Sequence, residues 1–125
     1  MGGDGIVPDP APDAALLPVR VSLRLDLASG ARVGPGKIAL LEAIGRTGSI
    51  AGAARALDMS YPRAWKLVEA LDAALGVAVV TRAPGGQRGG GAALTAAGHA
   101  LIARYRAVEA AAQHHAGPAP AAGRR

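Results

Sequence analysis

With 125 residues, the chain is long enough for one domain with a modest hydrophobic core and too short for two. It has 14 Lys and Arg against 9 Asp and Glu, and because three of the carboxylates lie in the first 18 residues, residues 19–125 hold 14 basic and 6 acidic side chains, a net charge of +8. That excess of positive charge is typical of a protein that binds a polyanion such as nucleic acid, although a soluble basic protein without such a partner has it too. The sequence contains no cysteine, which excludes disulfides and thiolate metal sites.

Residues 1–18 are rich in Gly, Pro, Ala and Asp and show little periodicity, so we expect a disordered N-terminal segment. The segment lacks the basic start and apolar core of a signal peptide, and the chain has no apolar run long enough to span a bilayer. We therefore expect a cytoplasmic protein with no membrane partner.

The segment Val19–Leu27 alternates apolar and polar side chains, and this period of two predicts a half-buried β-strand. The pattern Ala-Ser-Gly predicts a turn at residues 28–30, and a short return strand is predicted at residues 31–33. A helix is predicted to open at residues 34–36 and to end at residues 45–48. Its core face is formed by Ile38, Leu40, Leu41 and Ile44.

Residues 49–75 predict two short amphipathic helices joined by a tight turn. Ser49 is the expected N-cap of the first helix and Ser60 that of the second, and each is followed by apolar residues at i, i+3, i+4 and i+7 spacing. Pro62 fits the second helix because it lies in the first turn, where its missing N–H had no partner. The pattern favours a helix-turn-helix, although any helical hairpin in a small globular protein would give it as well.

The second of these helices carries a distinctive face opposite its apolar stripe. It combines a hydrogen-bonding aromatic, two cations and a small side chain: Tyr61, Arg63, Lys66 and Ala70. Such a face suits the major groove of DNA.

A β-hairpin is predicted next, at about residues 77–94, because two short β-forming runs flank the glycine-rich stretch APGGQRGGG. A hairpin directly behind a helix-turn-helix is the wing of a winged helix. Its loop can follow a sugar–phosphate backbone or enter a minor groove, with Arg82 and Arg88 as the contacting charges; solvated surface is the alternative for both. A nucleotide-phosphate loop is disfavoured because neither GxxxxGK[ST] nor GxGxxG is present.

The last predicted helix is capped by Thr95 and runs to about residue 113. An apolar stripe near heptad spacing follows it, including Leu101, Tyr105 and Val108. One side of a small domain does not need so long an apolar helix, so we expect these three residues to contribute to pairing with a second copy. Packing onto the N-terminal strand is the alternative, and the two are compatible. Residues 114–125 are expected to form a flexible tail.

Four stretches resemble the N-terminal DNA-binding domain of the ModE family, molybdate-responsive transcriptional regulators with a helix-turn-helix of LysR type. They are GSI at 48–50 with the Ala-rich helix behind it, MSYPRAW at 59–65, VVTRAPGGQRGGGAALT at 79–95 and GHALIARY at 98–105. The glycine-rich wing joined to ALT is the most specific of the four. The resemblance covers residues 19–113 and implies a mainly α fold with a small β component, a winged helix-turn-helix with a long C-terminal dimerisation helix.

The resemblance also implies a function: a sequence-specific regulator of transcription that binds double-stranded DNA as a homodimer, on a palindromic operator, with a link to molybdenum metabolism. The positions that fall on the DNA-binding surface are Ser60, Tyr61, Arg63 and Lys66 in the recognition helix and Arg82, Gln87 and Arg88 in the wing. We interpret Trp65 as a structural anchor at the edge of that helix, with a base or sugar contact as the alternative.

Family members that sense molybdate do so with a C-terminal β-barrel module, whereas this sequence ends in a Pro/Ala/Gly-rich segment. We therefore expect no oxyanion sensor and no cofactor. Four alternatives remain for its regulation: constitutive action, control by abundance, a heterodimer with a full-length relative, or binding of a separate molybdate-binding protein.

No pattern typical of an enzyme or of a metal site is present. The four serines fall on a strand, in a turn and at two helix caps, without His and acid partners placed by any motif. His114 and His115 are adjacent, unlike the i, i+4 pair that binds zinc. The alternative to DNA binding is a protein-interaction winged helix that modulates a full-length regulator by heterodimerisation without recognising DNA itself.

Overall fold

A computed structural model of the chain describes residues 8–9, 17–82 and 91–121. These ranges contain four helices and four short strands: β1 (Leu25–Asp26), β2 (Arg32–Val33), α1 (Pro35–Thr47), α2 (Ile50–Ala56), α3 (Tyr61–Leu75), β3 (Val80–Arg82), β4 (Ala92–Leu94) and α4 (Ala96–Ala116). The predicted class, mainly α with a small β component, is confirmed. The chain divides into two compact units, one formed by Arg24–Tyr105 and the other by the described parts of Met1–Leu23 and Arg106–Arg125.

Helix α1 forms the centre of the Arg24–Tyr105 unit, where it contacts α2, α3, β2 and β4. Its apolar residues are fully buried: Ile38, Leu40, Leu41, Ala43 and Ile44. The helix ends at Gly48, which adopts the left-handed conformation with a φ of 76° and donates its N–H to the carbonyl of Ile44. The helix predicted from residues 34–36 to residues 45–48 is therefore confirmed.

The N-terminal strand is shorter than predicted. In place of Val19–Leu27, β1 holds Leu25–Asp26, which pairs antiparallel with Arg32–Val33 of β2. The alternation is correct from Val21 to Leu27, where side chains are alternately half-buried and exposed, but Val19, predicted on the buried side, is 41% exposed. The ladder is short because Pro35 starts α1 directly after β2 and leaves few backbone groups to pair.

The other unit is joined by hydrogen bonds between the two ends of the chain. The N–H of Val19 donates to the carbonyl of Pro118 at 3.1 Å, and the side-chain amide of Gln113 accepts from Val21 N at 2.9 Å and donates to Val19 O at 3.0 Å. The amide thus pairs with this segment as a neighbouring strand would. Helix α4 extends to Ala116, three residues beyond the predicted end at 113, while residues 122–125 and most of residues 1–18 lie outside the described residues.

No helix among the described residues has the length and apolar character needed to cross a membrane.

Candidate nucleic-acid interface

Helices α2 and α3 are each capped at the N-terminal end by a serine. Ser49 Oγ accepts from Gly52 N at 2.8 Å, and Ser60 Oγ accepts from Arg63 N at 3.2 Å, which confirms both predicted N-caps. Between them Asp58 adopts the left-handed conformation, with a φ of 59°, that Asp tolerates better than most residues. A turn this short holds α3 at a defined angle to α2.

Helix α3 has one buried face and one exposed face. Ala64, Val68 and Leu71 point into the core. The four recognition-helix residues predicted from the sequence are exposed together at its N-terminal end, and we call them the α3 surface: Ser60, Tyr61, Arg63 and Lys66. They present two cations and two hydroxyls on a convex helix, with a shallow depression between Arg63 and Lys66 on one side of it.

Trp65 lies at the edge of the α3 surface and is half-buried. Its ring meets that of Tyr61 edge-on, with the centroids 6.4 Å apart and the planes at 78°. The guanidinium carbon of Arg82 stands 3.7 Å from the centroid of the Trp65 ring, within the range of a cation–π interaction. Arg82 is thus a contact partner of Trp65, the predicted structural anchor, and local sequence patterns could not identify this contact.

The wing follows α3 and is joined to the rest of the unit through its base. Strands β3 and β4 pair antiparallel, with Arg82 opposite Ala92. Ala92 N donates to Gly48 O at 2.8 Å, and Thr95 Oγ1 donates to Ala78 O at 2.7 Å. Thr95 Oγ also accepts from Gly98 N at 3.1 Å, which confirms its predicted role as a cap.

Two features of the wing differ from the sequence prediction or fall beyond it. The first strand begins at Val80 rather than at residue 77, and Val77 is 53% exposed. Gln87 and Arg88, predicted to contact DNA, lie outside the described residues. Asp72 was not identified from the sequence. Its carboxylate accepts from Val79 N at 2.8 Å and ties the C-terminal half of α3 to the start of the wing.

The three predicted dimerisation residues have different environments. Leu101 is 7% exposed and Tyr105 is fully buried within the chain, as in the alternative of packing against the same chain. Leu101 lines a groove together with Leu25 of β1. Val108 is 41% exposed, so of the three it is the one whose side chain is free to meet a second copy.

The remaining polar groups show no arrangement typical of catalysis in the part of the chain that is described. Ser49 and Ser60 use their hydroxyls as helix caps. His114 Nε2 lies 3.6 Å from Asp9 Oδ1, and no cluster of three or more His, Asp or Glu able to hold a metal ion occurs among residues 8–9, 17–82 and 91–121.

Helices α2 and α3 with the short turn between them, the exposed α3 surface and the antiparallel wing define a winged helix-turn-helix protein. Residues 36–99 match the sequence profile of the bacterial regulatory helix-turn-helix proteins of the lysR family. The match takes in α2, α3 and both strands of the wing, and covers just over half of the chain. The chain therefore belongs to the lysR family.

Several curated relatives are similar to this chain. It is 57% identical over 82 residues to the molybdenum-pterin-binding protein MopB of Rhodobacter capsulatus, a match that covers 66% of this chain and 30% of MopB. It is 40% identical over 90 residues to the molybdenum transport protein ModE of Azotobacter vinelandii, covering 72% and 33% of the two chains. The DNA-binding transcriptional dual regulator ModE of Escherichia coli K12 is 39% identical over 71 residues, 57% of this chain and 27% of that protein. The chain spans about a third of the length of these relatives.

Two solved structures contain a similar domain bound to DNA. The DNA-binding domain of CbnR in complex with DNA has a TM-score of 0.50 and 34% identity, covering 62% of this chain and 83% of that one. Full-length CbnR with its target DNA gives the same TM-score and identity over 62% of this chain and 25% of that one. The resemblance to ModE and the winged-helix fold are thus confirmed, and residues 36–99 carry the helix-turn-helix of the bacterial regulatory proteins of the lysR family.

Proposed function

We propose that the protein binds a palindromic DNA operator as a dimer and regulates the transcription of genes connected with molybdenum. The observation that carries this proposal is the α3 surface, Ser60, Tyr61, Arg63 and Lys66, exposed opposite the buried stripe of the same helix. An α-helix about 10–12 Å wide fits the major groove, which is about 12 Å wide. Regulation of transcription places the protein with the DNA in the cytoplasm.

The side chains of the α3 surface match the chemistry of base edges. Arg63 can donate two hydrogen bonds to the O6 and N7 of one guanine, and Lys66 can donate to the same acceptors or to a phosphate. The hydroxyls of Ser60 and Tyr61 donate and accept, so they suit phosphates and bases alike. We assign base recognition to Arg63 and to its neighbours on α3.

The wing supplies contacts of another kind. With Gln87 and Arg88 it follows the flanking backbone, where a cation adds affinity without selecting a sequence. The charge of +8 over residues 19–125 adds to this general attraction. Binding is therefore expected to weaken steeply with salt, log K falling by about 0.9 per phosphate neutralised for each unit of log salt concentration.

Dimerisation would place two α3 helices in successive major grooves, with half-site centres roughly 34–36 Å apart. The exposed Val108 on α4 is a candidate contact for the second copy. A heterodimer with a full-length relative, or a complex with a separate molybdate-binding protein, would use the same exposed surface to receive a regulatory signal. The names of two relatives, a molybdenum-pterin-binding protein and a molybdenum transport protein, support the proposed link to molybdenum.

Selection of bound sequences from a random duplex library, at near-physiological salt, tests the proposal. An enriched palindrome supports a dimer that recognises sequence, and it provides the operator with which to search for target genes. A single enriched half-site contradicts the dimeric arrangement. General binding without enrichment favours the alternative, a winged helix that modulates a regulator through protein contacts.

Arg63→Ala tests the assignment of base recognition. We expect it to weaken binding to the selected site by about 1–3 kcal/mol and to relax the base preference at one position, because a bidentate contact to guanine is lost. Arg104→Ala is the charge-matched control, because Arg104 is exposed and lies away from the α3 surface. It lines a groove with Leu75, and Leu75 is about 18 Å from Arg63 along the axis of α3. Quantitative gel shifts on selected and random duplexes measure both. Equal losses on the two duplexes for Arg63→Ala would contradict its role.

A further inference from the structure

Arg82, Trp65 and Tyr61 form a continuous stack from the wing to the α3 surface. The Arg82 guanidinium lies 3.7 Å from the ring centroid of Trp65, and the Trp65 ring meets the Tyr61 ring edge-on at 6.4 Å. Trp65 is the single tryptophan of the sequence. The stack therefore joins the two elements that are proposed to touch DNA.

The strand geometry explains why Arg82 points at α3. Side chains two residues apart on a strand lie on the same face, and Val80, two residues before Arg82, is buried against the domain. Thr81 lies on the other face and is exposed. Arg82 is thus directed to the domain side of the hairpin, at the point where β3 ends.

The geometry of α3 places the other two members of the stack. Tyr61 and Trp65 are four residues apart, so they lie on one side of the helix, one turn from each other. Trp65 follows the buried Ala64 and is itself half-buried, which sets its ring at the edge between core and solvent. A displacement of Arg82 would uncover one face of the Trp65 ring. The ring would then be less restrained, and so would its edge contact with Tyr61.

We propose that Arg82 is a positioning residue for DNA recognition, which acts through Trp65 to hold the wing and the α3 surface in one relative arrangement. This inference rests on the proposed function. The bond from Thr95 N to Val79 O fixes the base of the hairpin. Further along, at the level where Arg82 pairs with Ala92, the bond from Ala92 N to Gly48 O holds β4 and the contact with Trp65 holds the last residue of β3. The planar guanidinium lies over the indole face, whereas a wing cation that serves as a phosphate contact alone needs no such partner.

A double-mutant cycle on binding to the selected DNA distinguishes these two roles. Arg82→Gln should weaken binding roughly two- to fivefold in the wild-type background, the scale of an exposed cation–π contact, and should have little effect when Trp65 is already Leu. Arg82→Lys keeps the charge but not the planar stacking group, so it should resemble Arg82→Gln. Trp65→Phe keeps an aromatic face and should retain most of the coupling. Equal losses in both backgrounds, or full binding by Arg82→Lys, would overturn the inference.

Fluorescence of the DNA-free chain provides a readout that does not depend on binding. Because Trp65 is the single tryptophan, quenching by acrylamide reports on the exposure of its ring. We expect Arg82→Gln to increase quenching and Arg104→Gln to leave it unchanged. Unchanged quenching in Arg82→Gln would overturn the inference. A chain that shows the fluorescence change but selects no DNA contradicts the proposed function, whereas a chain that selects DNA without coupling contradicts this inference alone.

Discussion

The absence of a side chain at Gly98 lets α4 begin directly against the segment that leads into the wing. A Cβ atom at this position would overlap the carbonyl oxygen of Val79 and would lie 3.4 Å from Leu94 Cδ2. The same carbonyl accepts from Thr95 N at 3.0 Å, so it cannot move away without breaking that bond. Because glycine has a hydrogen atom where other residues have Cβ, α4 can approach the segment before the wing this closely.

Gly98→Ala should destabilise the fold by about 1–3 kcal/mol, the usual cost of forcing an extra methyl into a packed site. Gly36→Ala is the matched control: Gly36 lies in α1 with nothing within 4 Å of the position a Cβ would take. There alanine should be neutral or stabilising by up to about 1 kcal/mol, because it favours helix. Urea unfolding followed by Trp65 fluorescence measures both, and a Gly98→Ala midpoint equal to that of the wild type would contradict the close approach.

At the scale of elements, α3 and the wing are tied by Asp72. Its carboxylate accepts from the N–H of Val79, a fully buried residue, at 2.8 Å. Helix α3 ends between them at Gly76, whose φ of 72° reverses the chain. The bond therefore satisfies a backbone donor at the junction and sets where β3 starts relative to α3.

Asp72→Ala should cost about 1–3 kcal/mol of unfolding free energy because it leaves the Val79 N–H without its acceptor. Asp72→Asn keeps a carbonyl oxygen in the same place and should cost less. Glu69→Ala, which removes an exposed carboxylate from the same helix, controls for the change of charge. Thermal and urea unfolding of the three variants give the comparison. If Asp72→Asn is as unstable as Asp72→Ala, the hydrogen bond is not the cause.

The helices could be predicted from the sequence because their signals are local. The Ser49 and Ser60 caps each act within three residues, and Gly48 terminates α1 through a bond to Ile44. The contact between Arg82 and Trp65 joins residues far apart in the chain, and no periodicity encodes it. The face of α3 could therefore be predicted, and its connection to the wing could not.

The strands were predicted less well than the helices, for a related reason. Alternation from Val21 to Leu27 correctly indicated which side chains face inward. The number of paired residues depends on where the partner segment turns away, and β2 stops at Val33 because Pro35 starts a helix. Side-chain period thus specifies orientation, while the length of a ladder depends on its partner.

At the scale of the whole molecule, α4 takes part in both compact units. Its first half supplies Leu101 and Tyr105 to the core of the Arg24–Tyr105 unit, and its second half carries the exposed Val108 and the Gln113 that binds Val19 and Val21. A heptad-like stripe predicts an apolar helix face but does not distinguish packing within one chain from packing between two. Burial separates the stripe into an internal part and a part that remains available.

Val108→Glu tests whether that available part joins two copies. A carboxylate placed in a helix interface loses its water without gaining a partner, so we expect the dimer to weaken by about 2 kcal/mol or more, roughly thirtyfold in dimer Kd. Ala110→Glu is the control because it puts the same charge on an exposed position about 160° around the same helix. Sedimentation velocity across a range of protein concentrations measures the dissociation, and near-wild-type unfolding of both variants shows that the fold is retained. A Val108→Glu chain that dimerises as well as Ala110→Glu would place the dimer contact on another surface. A loss of dimer confined to Val108→Glu, accompanied by weaker binding to the palindrome and unchanged binding to a single half-site, would connect dimerisation through α4 to operator recognition.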